Sequence, residues 1–329
     1  MRKLFFLLPG TTRPFYCGGL FAELNTLKLA QQICEAEVVT YRQREENHLF
    51  IDDVLQGDNL NRYIWIVSWG FDVPKQLKKL SHCNVVYHAH SSGYGFSIAP
   101  QIPILAVSRN TMGYWGTQAL NSLLYWLPNQ LPADVCNRQS PRDIDVLVQS
   151  RKSSDYVSNQ LVPALKKRFN VVVVDGFVDD LMGLFNRTKI YLYDSAEYWV
   201  QYQLTEGFGL PPMEALACGC QVFSSVNHAL ADYLDPGVNC HKIAGYATGY
   251  DLQRIAAVLD NWQPNNLPDS FFAPYRSGQL VPRLETILTE LNSFFDYRQQ
   301  HGSDIPSLTR QRRLYLFYKR VKTKLKKLI

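Results

Sequence analysis

Two glutamates, Glu206 and Glu214, are eight residues apart in the stretch TEGFGLPPMEALACGC. The segment between them begins with Gly207-Phe208-Gly209 and continues with a leucine and two prolines. Glycine lets a backbone approach a ligand closely, and proline is well tolerated in the first turn of a helix. The letters MEALAC are mostly good helix formers, and the glycine after them is common at a helix end. The pattern predicts a loop carrying Glu206 and then a short helix with Glu214 near its first turn.

The start of such a helix could bind an anion. Its free N–H groups and the positive end of its dipole suit a phosphate. Two carboxylates would repel a bare phosphate, so their presence indicates a ligand that also carries hydroxyl groups, as a ribose and a sugar do. A buried helix start with a capping acid would account for one of the two glutamates but not for both.

The stretch resembles the E-x7-E signature of retaining GT-B glycosyltransferases of the GT4-type, or group 1, family. It keeps both acids, the glycines, the proline and the closing glycine. The resemblance implies that Glu206 binds the donor sugar and orients its anomeric carbon, and that Glu214 holds the ribose hydroxyls of the nucleotide. We predict that the N–H groups of Phe208, Gly209 and Leu210 hold the diphosphate, and Gly207 belongs to the same predicted donor-binding set.

Two cations, Arg151 and Lys152, come directly after the predicted first strand of the second half of the chain. In open parallel sheets, ligands bind at the carboxyl ends of strands. A pair of cations there would neutralise a diphosphate. The resemblance implies that this pair stabilises the departing nucleotide, so both residues join Glu206 in the predicted catalytic set. A solvated charge pair on a loop is the alternative.

His90 follows a predicted buried strand that ends at His88. The resemblance implies that a histidine here faces the donor sugar from the N-terminal domain. His90 is the preferred position and completes the predicted catalytic set. One of the two histidines could instead be simply packed or solvated. The pair Gly18-Gly19 lies between the first strand and the first helix. The resemblance implies that it borders the donor phosphate or the acceptor, although most such pairs are turns.

Asp143 and Asp145 form a D-x-D pattern of the kind that binds metal ions. Here the pattern precedes a strand and faces away from the expected ligand edge, so we interpret it as incidental. The resemblance implies that no metal is needed to stabilise the leaving group, in agreement with the role given to Arg151 and Lys152. We therefore expect no metal and no cofactor beyond the nucleotide-sugar donor.

Strand and helix patterns alternate along the 329 residues, which predicts an α/β protein with parallel sheets. The resemblance implies a GT-B fold, with two Rossmann-like doubly wound sheets facing across a cleft. We expect an N-terminal acceptor domain at residues 1–135 and a donor domain at residues 136–282. A crossing helix and a basic tail would occupy residues 283–329. The proline-containing segment 128–142 is the predicted linker, about which the cleft would close on the donor.

The pattern predicts nine strands, at residues 4–8, 37–41, 63–67, 84–88, 104–107, 145–149, 171–174, 190–193 and 221–225. It predicts helices at residues 74–80, 157–168, 246–262 and 282–299, besides the one after the glycine pair and the one that carries Glu214. The hydrophobic fraction of 46% is ample for two cores. The sequence has no run of 18 apolar residues, so no membrane-spanning helix is predicted. The short apolar run after the first three residues indicates a buried strand rather than a signal peptide.

The seven cysteines are scattered and lack a C-x-x-C pattern, which fits a reducing cytoplasm without disulfides or a zinc site. The last twenty residues, from Arg310 to Ile329, contain nine Lys or Arg and no acidic residue. Apolar residues recur there at helical spacing, at Leu314, Phe317, Tyr318, Val321, Leu325 and Leu328. A basic amphipathic helix favours an anionic membrane surface. Packing against the rest of the protein is the alternative, and no other feature indicates a nucleic-acid partner.

The resemblance implies a metal-independent retaining glycosyltransferase. The cysteines and the basic tail predict that it is cytoplasmic or peripheral on the inner face of the membrane. Its acceptor would be a glycan or a lipid-linked glycan, in surface polysaccharide or glycolipid synthesis. Two alternatives stay open. A GT-B-fold nucleotide-sugar epimerase would need further acid/base residues that the sequence does not reveal. A catalytically inactive nucleotide-sugar-binding partner protein would bind the donor without turnover.

Overall fold

In a computed structural model that describes residues 1–68, 70–305 and 308–325, the chain forms two parallel sheets flanked by helices. The first sheet contains β1 (Lys3–Leu8), β2 (Ala36–Thr40), β3 (Leu49–Phe50), β4 (Tyr63–Val67), β5 (Asn84–Ala89), β6 (Ile104–Ala106) and β7 (Leu124–Trp126). The second contains β8 (Ile144–Gln149), β9 (Val171–Val174), β10 (Thr188–Tyr193), β11 (Gln221–Ser224) and β12 (His241–Lys242). The predicted pair of parallel sheets is confirmed.

Twelve α-helices lie in the described residues, several of them a single turn. They are α1 (Gly18–Ala30), α2 (Ile51–Val54), α3 (Val73–Lys79), α4 (Arg109–Gln118), α5 (Val162–Leu165), α6 (Leu181–Arg187), α7 (Ala196–Tyr202), α8 (Leu210–Ala217), α9 (Thr248–Asp260), α10 (Asp269–Phe272), α11 (Ser277–Gln300) and α12 (Arg310–Leu325).

The strand order places a ligand edge on each sheet. The orders are β3-β2-β1-β4-β5-β6-β7 and β12-β11-β10-β8-β9. The direction of winding reverses between β1 and β4 in the first sheet and between β8 and β10 in the second. In such sheets the crevice outside the carboxyl ends of the strands at the reversal point binds ligands. The loops that follow β8 and β10 therefore lie at the expected ligand edge of the second sheet.

The long helix α11 returns to the first sheet. One face of it is buried in the same core as α1 and the inner strands, through Leu280, Leu284, Ile287, Leu288, Leu291 and Phe295. The helix predicted at residues 282–299 is thus confirmed, but it begins at Ser277 and not at Pro282. An interior proline costs a helix one hydrogen bond and crowds the carbonyl group four residues earlier. Near the start of a helix of 24 residues with a buried face, that loss is tolerated.

The chain crosses between the two sheets twice, and the two crossings are bonded to each other. The first crossing, residues 127–143, is without helix or strand and coincides with the predicted linker. The second leads from α10 into α11. Leu131 N donates to Tyr275 O at 2.8 Å, and Arg276 donates to Leu131 O at 3.1 Å and to Val135 O at 2.9 Å.

Three strands escaped the sequence prediction, namely β3, β7 and β12. Each has two or three residues and lies at a sheet edge, so it is too short for a hydrophobic pattern to register. The helix predicted at residues 157–168 begins with a π-helical turn, Val157–Leu161, and continues directly into the short α5. The helix predicted at residues 246–262 is α9, which is two residues shorter at each end.

None of the side chains of α12 is buried. Leu314 is 69% exposed and Phe317 is 63% exposed, although both belong to the apolar face of this helix. The described part of the tail therefore does not pack against the rest of the protein, which was the alternative to a membrane role. Leu328 of the predicted apolar stripe lies outside the described residues. Of the helices that the structure describes, none has both the length and the apolar character needed to cross a bilayer.

Candidate functional site

The Glu206 carboxylate lies beside the carboxyl ends of β8 and β10, and its side chain is almost fully buried. Tyr193, the last residue of β10, donates its hydroxyl to Glu206 Oε2 at 2.5 Å. Trp199 on α7 donates its indole N–H to the same oxygen at 2.9 Å. Lys152 Nζ is 3.3 Å from Oε1. Three donors from three different elements thus fix the orientation of one carboxylate.

These contacts keep Glu206 ionised. Burial by itself raises the pKa of Glu206, but the charge of Lys152 and the hydrogen bonds from Tyr193 and Trp199 outweigh it, so that the pKa is lowered. An ionised carboxylate is a pure acceptor and can hold sugar hydroxyls. Because Tyr193 and Trp199 both donate to Oε2, the other oxygen, Oε1, has the greater spare capacity for a ligand.

Of the two predicted cations, the structure brings only Lys152 to Glu206. Lys152 lies in the short turn Ser150–Lys152 after β8, and its ammonium is also 4.4 Å from the Trp199 ring centroid. Arg151 in the same turn is exposed, and within the described residues it has no ion pair or hydrogen bond. Its role as a second diphosphate cation remains a prediction, and a solvated arginine fits its present surroundings.

The loop that carries Glu206 contacts the first sheet through its backbone. A methyl group at Gly207 would overlap the carbonyl oxygen of His90. Ser91 Oγ donates to Thr205 O at 2.6 Å, and Ser92 N donates to Thr205 Oγ1 at 3.1 Å. The loop after β5 and the loop before α8 are therefore in direct contact, and this contact lies next to Glu206.

Helix α8 begins at Leu210, with Gly209 before it at φ +81°, in the left-handed region that favours glycine. Pro211 and Pro212 occupy the first turn and have no N–H, so fewer backbone donors are available to an anion than at an ordinary helix start. The Phe208 side chain is buried in the core of the second sheet. Phe208 can therefore make the predicted diphosphate contact only through its backbone.

Glu214 is the fifth residue of α8, so it lies directly after the first turn, which Leu210 and the two prolines occupy. Burial raises the pKa of the Glu214 carboxyl to about 7. Among the described residues, no side chain donates a hydrogen bond to it. A half-buried carboxyl without a polar partner is suited to accept hydroxyl groups of a ligand.

His90, which follows β5, is bonded to a residue that the sequence did not single out. Its Nε2 is 2.9 Å from Glu23 Oε1, and His88 Nδ1 is 2.9 Å from the same oxygen. His88 is buried, which agrees with the alternative that one of the two histidines is packed, and Glu23 is buried as well. Within the described residues these three are the group whose ligand atoms, all within 4.8 Å of one another, could hold a metal ion. Their N–O separations are those of direct hydrogen bonds.

The remaining predicted residues lie at the margins. Gly18 and Gly19 form the first turn of α1, and a methyl group at Gly18 would meet only open space. Packing therefore does not require glycine at Gly18, and the assignment to donor or acceptor binding remains a prediction. Asp143 and Asp145 lie at the amino end of β8, away from the ligand edge. They are paired with Arg187 at 2.5 Å and Lys189 at 2.8 Å, respectively.

The sequence did not reveal the residues that position Glu206. Tyr193 ends an apolar strand and Trp199 lies in an aromatic-rich helix, and both patterns are typical of core residues. His228, whose Nδ1 accepts the Glu206 N–H at 3.3 Å, follows β11 but does not come directly after it. One signal was present: β8 and β10 flank the reversal point, so residues directly after them were candidates for the ligand edge.

Comparison with known proteins supports the architecture. Residues 161–262, which include Glu206 and Glu214, match the family model described as glycosyl transferases group 1. Two curated sequences, both the serotype-specific mannosyltransferase WbdA of Escherichia coli, are 26% identical over 132 residues. That alignment covers 39% of this chain and 13% of the length of these relatives.

Solved structures extend the likeness to most of the chain. Anabaena HepE, in complex with UDP and glucose, has a TM-score of 0.62 at 14% identity and covers 88% of this chain and 100% of its own. A glycosyltransferase from Rickettsia africae has a TM-score of 0.61 at 10% identity, with 88% and 98% covered. Sucrose-phosphate synthase from Thermosynechococcus elongatus has a TM-score of 0.59 at 12% identity, with 89% and 100% covered. These matches confirm the predicted GT-B fold.

Proposed function

Because this chain carries a glycosyl transferases group 1 domain within a GT-B fold, we propose that it is a retaining glycosyltransferase acting on a nucleotide-diphosphate sugar. The observation that carries the proposal is the Glu206 carboxylate. It is ionised, oriented by Lys152, Tyr193 and Trp199, and lies at the strand ends where such sheets bind ligands. A buried acid held by three donors at that edge is suited to bind and orient sugar hydroxyls.

We assign the other groups by their chemistry. Glu214 accepts the ribose hydroxyls, because it is a half-buried carboxyl without a polar partner among the described residues. The backbone N–H groups of Gly209 and Leu210 bind the diphosphate at the start of α8. Lys152 stabilises the charge that develops on the leaving diphosphate. This role requires Lys152 to share its charge between the phosphate and Glu206.

The donor and the acceptor follow from distant relatives, and we propose them as starting points. One structural neighbour binds UDP and glucose, and the curated relatives are serotype-specific mannosyltransferases. UDP-glucose and GDP-mannose are therefore the donors to test first. A glycan of a surface polysaccharide, or its lipid-linked precursor, is the acceptor class that agrees with these relatives and with the basic tail.

Thermal melts with UDP, GDP, ADP and TDP test the proposal. A ligand at about 100 times its Kd adds roughly 2.7 kcal/mol to the free energy of unfolding, which raises Tm by several degrees. We expect one of the four nucleotides to stabilise the wild-type protein. Glu214→Gln should lose most of that shift, because an amide holds ribose hydroxyls less strongly than a carboxylate. No shift with any nucleotide in the wild type would contradict the assigned function.

The pH dependence of the same melts provides a control. Because the folded-state pKa of Glu214 is raised to about 7, its ionisation destabilises the fold as pH rises from about 4.5 to 7. Without ligand, Glu214→Gln should therefore gain stability relative to wild type between pH 5 and pH 8. Nucleotide affinity should do the opposite and rise with pH in wild type more than in the variant. Parallel affinity profiles in the two proteins would contradict the ribose assignment.

We further propose that α12 binds an anionic membrane surface. It carries seven Lys or Arg and no acid over residues 310–325, and its aromatic and aliphatic side chains are exposed. Each cation near an anionic bilayer contributes about 1 kcal/mol, and the exposed apolar side chains can enter the interface. This charge and exposure match a lipid surface better than a folded partner.

Deleting residues 310–329 should abolish co-flotation with vesicles of equimolar phosphatidylglycerol and phosphatidylcholine. Tm should stay unchanged, because none of the described side chains of α12 is buried. Pure phosphatidylcholine vesicles and a triple variant, R312E/R320E/K324E, serve as controls, and both should bind weakly. Undiminished flotation of the truncated chain would contradict the membrane role.

A further inference from the structure

Glu23 connects helix α1 to the end of β5. Its Oε1 is 2.9 Å from His88 Nδ1 and 2.9 Å from His90 Nε2, and the centroids of the two imidazole rings are 4.4 Å apart. Residues two apart in an extended segment point to the same side, which explains why both rings reach one carboxylate. A single oxygen therefore serves two histidines, and the carboxylate is buried in the protein.

The bonds of Glu23 fix where the protons are. Burial by itself raises the pKa of Glu23, but the two imidazoles outweigh it and lower the pKa well below its usual range. An ionised carboxylate only accepts, so both rings must donate: His88 from Nδ1 and His90 from Nε2. In the neutral His90 ring the lone pair is then on Nδ1, and within the described residues Nδ1 makes no hydrogen bond.

His90 is the most exposed member of this group, and its backbone contacts the loop that carries Glu206. Its side chain is 15% exposed, whereas those of His88 and Glu23 are 1% exposed. Its carbonyl oxygen lies against Gly207, the residue after Glu206. Burial and the neighbouring His88 lower the pKa of His90, so the ring is neutral at neutral pH. A neutral ring in this tautomer presents a hydrogen-bond acceptor.

We propose that Glu23 is a positioning residue that holds His90 with Nδ1 as an acceptor for a hydroxyl group of the donor sugar. The inference rests on the proposed function and narrows its substrate class. A sugar hydroxyl can donate to Nδ1, whereas a sugar carboxylate at that place would meet the lone pair of a neutral ring and be repelled. Neutral hexoses are thus favoured over uronic acids.

A metal ion in this group is the competing explanation. Glu23 Oε2 and His88 Nε2 are buried without a hydrogen-bond partner, so acceptor capacity is left over. However, a zinc ion needs its ligands at 2.0–2.2 Å around it, which places tetrahedral ligand atoms about 3.3 Å apart. The two N–O separations are shorter than that and are satisfied as hydrogen bonds. The observations therefore favour the hydrogen-bonded arrangement.

Long-range ¹H–¹⁵N spectra of the full-length protein, labelled at histidine, test the tautomer directly. The His90 signals are assigned with His90→Asn. We expect His90 as the neutral Nε2–H tautomer in wild type, and loss of that fixed tautomer in Glu23→Gln. A charged ring or an Nδ1–H tautomer in wild type would overturn the proposal. So would one equivalent of zinc that survives desalting in wild type and is lost in Glu23→Gln. None of these readouts depends on sugar transfer.

Calorimetric titrations with UDP, UDP-glucose, GDP and GDP-mannose test the functional consequence. Glu23→Gln should weaken binding of the matching nucleotide sugar by about tenfold, the equivalent of one hydrogen bond, and leave the bare nucleotide unchanged. Equal weakening of both ligands would indicate a structural role and overturn the proposal. Glu35→Gln, an exposed acid beyond α1, is the matched control and should change neither affinity. If Glu23→Gln fails to fold, Glu23→Asp takes its place in these experiments. It keeps the negative charge and should retain the His90 tautomer.

Discussion

Replacing Glu206 with glutamine should lower sugar transfer by at least about 100-fold and change the affinity for the bare nucleotide by no more than about threefold. Loss of one preorganised electrostatic partner at a reacting centre typically costs a factor of 100 to 1,000 in rate. Glutamine keeps the shape of the side chain, but it removes the charge that balances Lys152 and replaces an acceptor with a donor. The affinity for the bare nucleotide should change little, because the nucleotide is proposed to bind Glu214 and the start of α8 and not Glu206.

The measurement is release of the nucleoside diphosphate from the donor that the melts identify, beside nucleotide binding by calorimetry. Glu285→Gln on the exposed side of α11 is a matched change of charge and should leave both quantities as in wild type. Comparable losses of transfer and of nucleotide affinity would show that Glu206 supports the whole site and not the sugar. That result would contradict the division of roles between the two glutamates.

Gly207→Ala should reduce transfer by about 100-fold, although it adds only one methyl group. The added carbon would overlap the carbonyl oxygen of His90, so the two loops must separate. A displacement of about 1 Å in the position of catalytic groups can cost a factor of 100 in rate. The backbone of Gly207 lies between Glu206 and the helix start, so its displacement moves the carboxylate away from His90.

Gly249→Ala is the control, because a methyl group at that position in α9 meets nothing within 4 Å. It should retain wild-type transfer and stability. For Gly207→Ala, a circular dichroism spectrum and a melt with the bound nucleotide establish whether the protein is folded. Folded Gly207→Ala with transfer within twofold of wild type would mean that the contact with His90 is not needed for catalysis.

The sequence was sufficient for the sheets and for the place of the two glutamates in a loop and the helix after it, for identifiable reasons. Long buried strands have a strong apolar signal, and the spacing of Glu206 and Glu214 survives any small error in the helix start. Lys152 could be predicted because it follows a strand at the ligand edge. Arg151, its neighbour, shows the limit of that reasoning, because the sequence does not say which of two adjacent cations turns inward.

The supporting residues could not be predicted because their partners are distant in sequence. Glu23 is 65 residues from His88, and an acid in the middle of a helix usually faces water. Tyr193 and Trp199 have aromatic rings that ordinarily indicate a core, and only the three-dimensional position of Glu206 gives their polar atoms a role. Hydrogen-bond networks of this kind depend on how elements pack, which local patterns do not encode.

The two bonded crossings between the sheets have a mechanical consequence. A single flexible connection would let one half rotate about several axes, but two connections held side by side by Leu131, Tyr275 and Arg276 restrict the rotation to one axis. We therefore expect the two halves to rotate about that axis, with little freedom to slide or twist. Displacement grows with distance from the axis, so the loops around Glu206 and His90 would separate and rejoin along one repeatable path.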